Sequence, residues 1–430
     1  MVDAAQQPTE ATANPDANQD VGEAAYLSER QKRGTPNHRR LRIALAHDWL
    51  VGMRGGEWVL DRIASLVKKQ HIPANLSVLF YKKGKYTTTL DEFEIRKSRF
   101  NALPGVSGPL RRWMLPLYPS AVEALSERLA KDHAQQPIEL LISTSSGLIK
   151  GMAAPEGVPH ICYCHAPARY LWSMQDDYTA GGGPTAMLRK LGFGMFTNRL
   201  RKWDRESVAN VSTMLANSRH TAREIERCWG RGSIVVYPPV RTKFFTVDPN
   251  EKREDFWLVV SALEPYKRTE LAIEAALLAG KRLFIAGTGS QSGRLRAFAK
   301  KTAKRITKAG KPGRDNLVEF MGRVGDEHLR QLYRRASVLL FPQVEDFGIV
   351  AVEAQACGCP VVARRAGGAL DTVLEGRTGA FFDKPTPNAI IDAVKRVPSK
   401  VHAQCRENAE RFAEPVFDKA MQKVIASAVR

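Results

Sequence analysis

The stretch Phe341–Gly368 reads FPQVEDFGIVAVEAQACGCPVVARRAGG, and its pattern predicts a strand end, a tight turn, a helix and a second strand. The apolar run Val338–Phe341 has the length of a buried strand, and Pro342 should end it because proline cannot donate to a sheet ladder. A helix is predicted over residues 349–357 and a second buried strand over 361–363. Strand, helix and strand in this order are typical of a parallel sheet covered by helices.

Two glutamates bracket the start of this predicted helix. Glu345 lies in the turn before it and Glu353 lies about one to two turns inside it, so their carboxylates cannot share one point. The backbone N–H groups of Phe347, Gly348 and Ile349 would lie between them, at the positive end of the helix dipole, where phosphates bind readily. Carboxylates in turn accept the hydroxyl groups of a sugar diol. The spacing therefore favours a ligand with a sugar, a diphosphate and a ribose in sequence; a capping glutamate followed by a helix-surface glutamate is the simpler alternative.

Composition sets limits on the size and location of the protein. With 430 residues, 43% of them hydrophobic, the chain is long enough for about two to three domains. No apolar run approaches the roughly 20 residues that span a bilayer. Residues 1–29 contain no Lys or Arg and no apolar core, unlike a secretory signal, and residues 1–40 are predicted to be a disordered polar tail. We therefore expect a cytoplasmic protein.

The six cysteines include two Cys-x-Cys pairs, Cys162/Cys164 and Cys357/Cys359. This is not the Cys-x-x-Cys spacing of common zinc sites, and both pairs adjoin apolar segments. We therefore predict reduced, buried thiols and no metal site.

The formal net charge is +20, and the acidic tail leaves all of it on the folded part of the chain. Such a charge predicts an anionic partner: nucleic acid, an anionic membrane surface or a phosphorylated substrate. No recognised nucleic-acid-binding motif occurs, so nucleic acid is not expected as a partner. Residues 184–208 interleave basic, aromatic and aliphatic side chains, which fits either a helix on a membrane surface or a core-facing helix with a solvated basic side.

Strand and helix patterns alternate through both halves of the chain. The first strand is predicted over 41–46, followed by a glycine-rich turn and a helix over 57–67. This alternation predicts an α/β protein with two Rossmann-like, doubly wound parallel-sheet domains facing each other across a cleft. The predicted domains are residues 41–240 and 241–400, and helices at 401–430 complete the chain, the last of them crossing back to the first domain.

Candidate site residues lie at the carboxyl ends of predicted strands, where ligands bind in such sheets. Gly55 and Gly56 lie in the turn after the first strand and fit either a tight turn or a phosphate cradle. Lys267 would neutralise a diphosphate leaving group, or else be a solvated lysine. His165 directly follows an apolar strand and fits a role in the cleft as well as a structural one.

Other chemistries find little support. The sequence contains no GxxxxGK[ST] phosphate loop, no HExxH and no GxSxG motif. No Asp-x-Asp pair occurs, which argues against a divalent metal holding a diphosphate. The glycines also lack the GxGxxG spacing of dinucleotide-binding proteins.

Several motifs together are similar to one enzyme family. EDFGIVAVEAQACGCPVV, with Lys267 in EPYKR, resembles the C-terminal domain of family 4 glycosyltransferases, which have the GT-B fold. The first half resembles the WbaZ-like branch, which is named for a mannosyltransferase of O-antigen assembly. The motifs that carry this second resemblance are RRWMLPLYPSAVEAL, LLISTSSGLIKG, HICYCHAPARYLW, LANSRHTAREI and VVYPPV. The similarity extends from about Leu41 to Val397.

The resemblance implies a donor site in the second domain and catalysis without a metal or cofactor. The residues implied to bind the donor are Gly55, Gly56, Lys267, Arg268, Glu345, Phe347, Gly348, Ile349 and Glu353. Glu345 would contact the hydroxyl groups of the donor sugar, Glu353 those of the ribose, and Lys267 the diphosphate. The implied catalytic residues are Glu345, Lys267 and His165. Of these, His165 matches a histidine that lies near the transferred sugar in the family.

One position departs from the family pattern. Members often carry an arginine five residues before this lysine as a second diphosphate ligand, and this chain has Ala262 there. We expect either that Arg268 substitutes for it or that Lys267 acts with backbone N–H groups alone.

The implied activity is retaining, metal-independent transfer of a hexose, with mannose from GDP-mannose favoured. The acceptor would be a hydroxyl of a lipid-linked oligosaccharide or another cell-surface glycan precursor at the inner face of the membrane. Arg111, Arg112 and Trp113 are candidates for contact with the acceptor or an anionic membrane. One alternative is a soluble transferase with a UDP-sugar donor or a free sugar or sugar-phosphate acceptor. Another is a nucleotide-sugar-binding protein that has lost catalysis.

Overall fold

The computed structural model describes residues 40–53, 55–84, 86–103, 114–172, 186–311, 314 and 316–430, without the side chains of residues 88 and 186–195. The predicted tail before Arg40 and the candidates Arg111, Arg112 and Trp113 lie outside these residues. Of the helices that the structure describes, none is long and apolar enough to cross a membrane.

A seven-stranded sheet forms the first half of the described chain, with the strand order β3-β2-β1-β4-β5-β6-β7. Its strands are β1 Arg42–Leu50, β2 Ile72–Tyr81, β3 Glu94–Lys97, β4 Leu140–Ser145, β5 His160–Cys164, β6 Thr213–Ala216 and β7 Ile234–Val235. All neighbouring strands pair in parallel. The central strands are buried along most of their length because helices cover both faces, as expected for a parallel sheet.

A six-stranded parallel sheet forms the second half, in the order β10-β9-β8-β11-β12-β13. Its strands are β8 Phe256–Val260, β9 Arg282–Ala286, β10 Val318–Gly322, β11 Val338–Phe341, β12 Val361–Arg364 and β13 Gly379–Phe382. This is the doubly wound order, whose switch point lies between β8 and β11, and ligands bind outside the carboxyl ends of the strands there. The predicted architecture of two parallel, doubly wound sheets is confirmed.

Helices connect the strands. They are α1 Gly55–Gln70, α2 Tyr118–Gln135, α3 Arg169–Trp172, α4 Ala186–Glu206, α5 Arg219–Trp229, α6 Thr269–Ala279, α7 Ser292–Lys308, α8 Asp326–Arg335, α9 Ile349–Ala356, α10 Ala369–Thr372, α11 Pro387–Lys395, α12 His402–Glu410 and α13 Glu414–Ala428. Short 3₁₀ turns lie at Thr88–Glu92, Arg99–Ala102, Ile149–Gly151, Ser207–Asn210 and Pro265–Lys267. The stretch Phe341–Gly368 with the strand before it, the decisive stretch for the fold, adopts the expected structure. Its elements β11, α9 and β12 fall within one residue of their predicted bounds.

The first strand is longer than predicted. It continues through His47 and Asp48 to Leu50 because this segment pairs with both β2 and β4. Both polar side chains are buried, and each forms hydrogen bonds to β4 or the loop after it. The Nδ1 atom of His47 lies 2.7 Å from the Thr144 hydroxyl, and Asp48 accepts from the backbone N–H of Ile149 at 2.9 Å. Polar residues thus extend a strand whose apolar pattern ends earlier, and they hold the loop that follows β4.

The final helix, α13, packs on the first domain. Its residues Phe417 and Met421 join the core cluster beneath β1 and α1. Arg62 of α1 donates from Nε to Asp418 of α13 at 2.8 Å. Just before α13, Val240 and Ala413 form a parallel backbone bridge, so the two passages of the chain between the domains run side by side. The chain at Ala413 therefore pairs with the first crossing between the domains, and the helix that follows it packs on the first domain.

Candidate functional site

A cavity of about 390 Å³ lies between the two sheets, at the carboxyl ends of their strands. It is lined from both domains, which is the arrangement expected for a ligand cleft. The sequence candidates that line it are Gly55, Gly56, His165, Lys267, Glu345, Phe347, Gly348 and Ile349. Ala262 lines it as well. The structure thus gathers eight of the ten predicted site residues in this cavity, among them His165 from the first domain, and leaves out Arg268 and Glu353.

The start of α9 is shaped by glycine and anchored by Phe347. Gly348 has a φ of 93°, in the left-handed region that disfavours side chains, and a Cβ there would lie 2.9 Å from the Phe341 ring. The Phe347 side chain is buried, with its ring centroid 5.4 Å from that of Phe412. The first N–H groups of a helix have no intrahelical acceptor, and Phe347, Gly348 and Ile349 at this helix start line the cavity. This is a suitable place for an anionic group of a ligand.

Two further glycines hold the turn that carries Glu345. The N–H of Gly368 donates to the Glu345 carbonyl at 2.8 Å. A Cβ on Gly368 would lie 2.3 Å from the Phe347 Cα atom, and one on Gly367 would lie 2.4 Å from the Glu345 carbonyl oxygen. The Gly367-Gly368 pair at the end of the decisive stretch is therefore what lets the loop after β12 pack directly against this turn. The sequence showed the pair but not the backbone it approaches.

Glu345 and Lys267 form an ion pair at the carboxyl ends of the strands of the second sheet. Their side chains are 17% and 12% exposed, so water screens the pair only in part. Each group can exchange its partner for part of a ligand. An anionic group would replace Glu345 beside Lys267, and hydroxyl groups would replace Lys267 beside Glu345.

Glu353 lies in a neighbouring cavity of about 310 Å³, which shares Gly55 and Ile349 with the first. The Tyr333 hydroxyl donates to its Oε2 atom at 3.2 Å. Burial raises the pKa of Glu353 to about 7. The two glutamates thus occupy adjoining cavities on either side of the α9 start, as the spacing of Glu345 and Glu353 predicted, but they do not line one common cavity.

Two histidines reach the cavity from the first domain. His165 lies against Gly56, where a Cβ would be 3.4 Å from the His165 Nε2 atom. His47 also lines the cavity, although the sequence reasoning did not single it out. Burial lowers the pKa of His165 to about 3, with nearby His47 acting in the same direction, and burial lowers the pKa of His47 too. Both rings are therefore neutral near pH 7.

A second cavity, of about 370 Å³, adjoins the first on the side of the first domain. The two share Trp49, Ser146, His165, Glu345 and Asp346. The other lining residues are Leu115, Tyr118, Ala166, Arg169, Tyr170 and Tyr266, so that together with Trp49 four aromatic side chains line this cavity. Aromatic faces next to carboxylates suit a ligand with apolar faces and hydroxyl edges.

Arg268 does not reach the cleft. It adopts a left-handed conformation, with a φ of 53°, as the residue before α6, and its side chain is 59% exposed near Glu270. It lines a separate cavity of about 150 Å³. The turn that places Lys267 in the cleft therefore directs the Arg268 side chain away from it. The structure does not support Arg268 as the replacement for the arginine that family members carry at the position of Ala262.

The cysteines are internal. All six are unbridged and buried, as predicted. Burial raises the pKa of the Cys162 and Cys359 thiols to about 11, so both are protonated near pH 7. They contribute to the cores rather than to the cleft.

Comparison with known proteins places this geometry in context. Residues 240–412 match the family model described as glycosyl transferases group 1. A D-inositol 3-phosphate glycosyltransferase of Mycolicibacterium vanbaalenii is 28% identical over 259 residues, which cover 54% of this chain and 54% of the relative. The chain thus spans about half the length of the curated relatives it matches.

Solved structures resemble this one over most of its length. HepE of Anabaena, in complex with UDP, gives a TM-score of 0.64 at 17% identity and covers 90% of this chain and 100% of its own. Sucrose-phosphate synthase of Thermosynechococcus elongatus gives 0.65 at 17% identity, with 90% and 99% covered. Together with the two parallel sheets, these likenesses show the GT-B fold that the sequence predicted. Residues 240–412, which match the glycosyl transferases group 1 model in this GT-B chain, carry Lys267, Glu345 and Glu353.

Proposed function

We propose that this chain is a glycosyltransferase that moves a sugar from a nucleotide-sugar donor to an acceptor hydroxyl. The observation that carries the proposal is the pair of adjoining cavities at the start of α9, with Glu345 and Lys267 in one and Glu353 in the other. These cavities lie in and beside the domain that matches group 1 glycosyl transferases. A sugar, a diphosphate and a ribose would meet the three side chains in that order along the helix start.

The donor would bind mainly to the second domain. Its diphosphate would lie at the start of α9, where the N–H groups and the helix dipole favour negative charge. Lys267 would leave Glu345 to neutralise this diphosphate, and Glu345 would then accept hydroxyl groups of the donor sugar. Glu353 would accept the ribose hydroxyl groups in the neighbouring cavity.

The acceptor would occupy the aromatic cavity on the side of the first domain. Its reacting hydroxyl would point towards His165 and Glu345, which line both this cavity and the donor cavity. The neutral His165 ring can accept or donate a hydrogen bond without a charge of its own. Aromatic surfaces would cover the apolar faces of an acceptor sugar ring.

The resemblance to family 4 glycosyltransferases supports a retaining, metal-independent mechanism. Lys267 and the α9 N–H groups would stabilise the charge that develops on the departing nucleoside diphosphate. The acceptor hydroxyl would attack from the face that this group leaves, and the phosphate would help to take its proton. Closure of the two domains would exclude water and limit hydrolysis of the donor.

The same resemblance favours mannose from GDP-mannose and an acceptor that is a lipid-linked oligosaccharide or other cell-surface glycan precursor. The net charge of +20 supports peripheral contact with an anionic membrane surface at the cytoplasmic face. The second candidate is a soluble transferase with a UDP-sugar donor or a free sugar or sugar-phosphate acceptor. The similarity to a D-inositol 3-phosphate glycosyltransferase favours a phosphorylated acceptor of this kind.

A thermal-shift screen with GDP- and UDP-sugars separates the donors, because a ligand that binds only the native state raises the melting temperature. Turnover with the stabilising donor is then measured against lipid extracts and against sugar phosphates. Glu345→Ala and Lys267→Ala should each abolish transfer. Glu274→Ala and Lys281→Ala are matched controls, since both residues form ion pairs in the same domain outside the cavities.

Three outcomes would count against parts of the proposal. Full turnover by Glu345→Ala and Lys267→Ala would refute the site. Donor binding with no transfer or hydrolysis would indicate a protein that binds nucleotide sugars without catalysis. A lack of salt-sensitive binding to vesicles of anionic lipid would refute the membrane contact.

A further inference from the structure

Arg169 joins the first domain to the turn that carries Glu345. It is the first residue of α3 and belongs to the first domain, yet its guanidinium donates from Nη2 to the Asp346 carboxylate in the second. Its Cζ atom also lies 5.9 Å from the ring centroid of Tyr266. Asp346 directly follows Glu345, and Tyr266 directly precedes Lys267. One side chain therefore contacts the neighbours of both members of the ion pair in the cleft.

These contacts form a closed circuit of five side chains: Arg169, Asp346, Glu345, Lys267 and Tyr266. Lys267 pairs with Glu345, and its Nζ atom lies 4.9 Å from the centroid of the same Tyr266 ring that Arg169 approaches. Of the five side chains in this circuit, Arg169 is the one supplied by the first domain. The position of the first domain is thereby coupled to the alignment of the ion pair.

A second contact supports the same turn from the first domain. The hydroxyl of Ser218 donates to the Asp346 carbonyl at 2.5 Å. Ser218 is itself held in place because it caps α5 by accepting from the Thr221 N–H at 2.9 Å. When the domains are together, the first domain therefore binds Asp346 through both its side chain and its backbone.

The ion pair between Arg169 and Asp346 is only partly shielded from water. The two side chains are 27% and 22% exposed, so water still weakens the attraction between their charges. Its location matters more than its strength. An Arg–carboxylate contact fixes orientation through the planar guanidinium as well as through charge.

We propose that Arg169 is a positioning residue that fastens the first domain onto the Glu345 turn and keeps Glu345 aligned during transfer. The inference rests on the proposed function, in which Lys267 leaves Glu345 for the donor diphosphate. Glu345 then loses its partner, and its turn depends on Gly368, Ser218 and Arg169. The loss of Arg169 should therefore affect the closed, reacting complex more than the binding of donor to the second domain.

Steady-state kinetics of Arg169→Met test this role. We expect kcat to fall about 10- to 100-fold while the KM for the donor changes less than about threefold, as for an interaction that matters only in the reacting complex. Arg169→Lys should recover part of the loss, because it keeps the charge but not the planar fork. Asp346→Asn should resemble Arg169→Met, and the double variant should be no slower than the slower single variant.

The matched control is Arg227→Met. Like Arg169, Arg227 is an arginine of the first domain that pairs with a carboxylate. Its partner, Glu224, lies in the same helix, α5, so this pair does not cross the cleft. Its removal should leave kcat and KM within about twofold of the original values. Melting temperatures of all variants, measured in parallel, identify any that fail to fold.

Small-angle X-ray scattering tests the contact without any need for turnover. The radius of gyration of Arg169→Met and of Asp346→Asn should exceed that of the unaltered protein, because the domains separate more readily, and Arg227→Met should leave it unchanged. GDP-mannose and UDP-glucose are the added probes. If neither donor supports transfer, the proposed function fails, and the scattering still decides whether Arg169 holds the domains together.

Two results would overturn the assignment of Arg169. One is an unchanged radius of gyration together with a kcat within twofold of the original. The other is a KM for the donor raised tenfold or more with kcat preserved, which would make Arg169 a direct donor ligand. If Arg169→Met does not fold, Arg169→Lys and Asp346→Asn provide the same comparison.

Discussion

The affinity for a nucleotide sugar should rise with pH between 6 and 8, and Glu353→Gln should remove this rise. Burial raises the pKa of Glu353 to about 7, so the carboxyl changes its protonation state within this range. As a carboxylate, Glu353 can accept both ribose hydroxyl groups, whereas the protonated form has fewer acceptor positions and carries a proton of its own. Binding should therefore follow the ionised fraction.

The magnitude follows from the pKa. A group with a pKa of about 7 is roughly 9% ionised at pH 6 and roughly 91% ionised at pH 8. The Kd for the donor should accordingly fall about tenfold across this range if the carboxylate is the binding form. Burial keeps the pKa of His165 at about 3, so that ring does not titrate in the same window.

Isothermal titration calorimetry at several pH values measures the effect. The ligand should be an intact nucleotide sugar, because a terminal phosphate has a second pKa near 6 and would add its own pH dependence. Glu353→Gln should give a nearly flat profile, and Glu274→Gln, a change in the same domain outside the cavities, should keep the original slope. A flat profile for the unaltered protein, or an unchanged slope in Glu353→Gln, would refute this role of Glu353.

Further predictions concern stability and metal dependence. The free energy of unfolding, relative to that of Glu353→Gln, should decline as pH rises from about 4.5 to about 7 in urea titrations, because the folded state holds the Glu353 proton more tightly than the unfolded chain. Gly368→Ala should cost about 1–3 kcal/mol and weaken donor binding, since its Cβ would lie 2.3 Å from the Phe347 backbone, whereas Gly293→Ala has open space and should cost nothing in the same urea titration. Lys150→Met should cost about 3–5 kcal/mol because it leaves the fully buried Asp204 without its cation, and Lys281→Met, at an exposed pair, should change unfolding by less than about 1 kcal/mol. Transfer should continue at its full rate after dialysis against EDTA, and a loss that Mg²⁺ or Mn²⁺ restores would contradict the metal-independent mechanism.

The decisive stretch could be predicted because its signals are local. An apolar run, a proline, a turn and a glycine after the helix are read within about 20 residues, and β11 and α9 follow them closely. The opposed placement of Glu345 and Glu353 follows from helix geometry alone. The same reasoning failed at His47 and Asp48, where pairing with strands on both sides extends β1 beyond its apolar part.

Contacts between distant segments could not be predicted. Asp346 and Arg169 are 177 positions apart, and no periodicity links them. The placement of Glu345 and Glu353 on either side of the helix start was expected, but the separate cavity that Trp58 and Arg241 help to form around Glu353 was not. Arg268 was one of two expected substitutes for the arginine missing at Ala262, and the backbone turn at Arg268 directs it away from the cleft. In each case the outcome depends on the tertiary arrangement.

The return of α13 to the first domain has a consequence for the order of folding. Phe417 and Met421 belong to the core beneath α1, although more than 340 residues of chain separate them from it. During synthesis the second domain can assemble before the first is complete, which reverses the usual order from the N-terminus. Until Glu414–Ala428 has left the ribosome, the apolar surface around Tyr163 stays open to aggregation or to a chaperone.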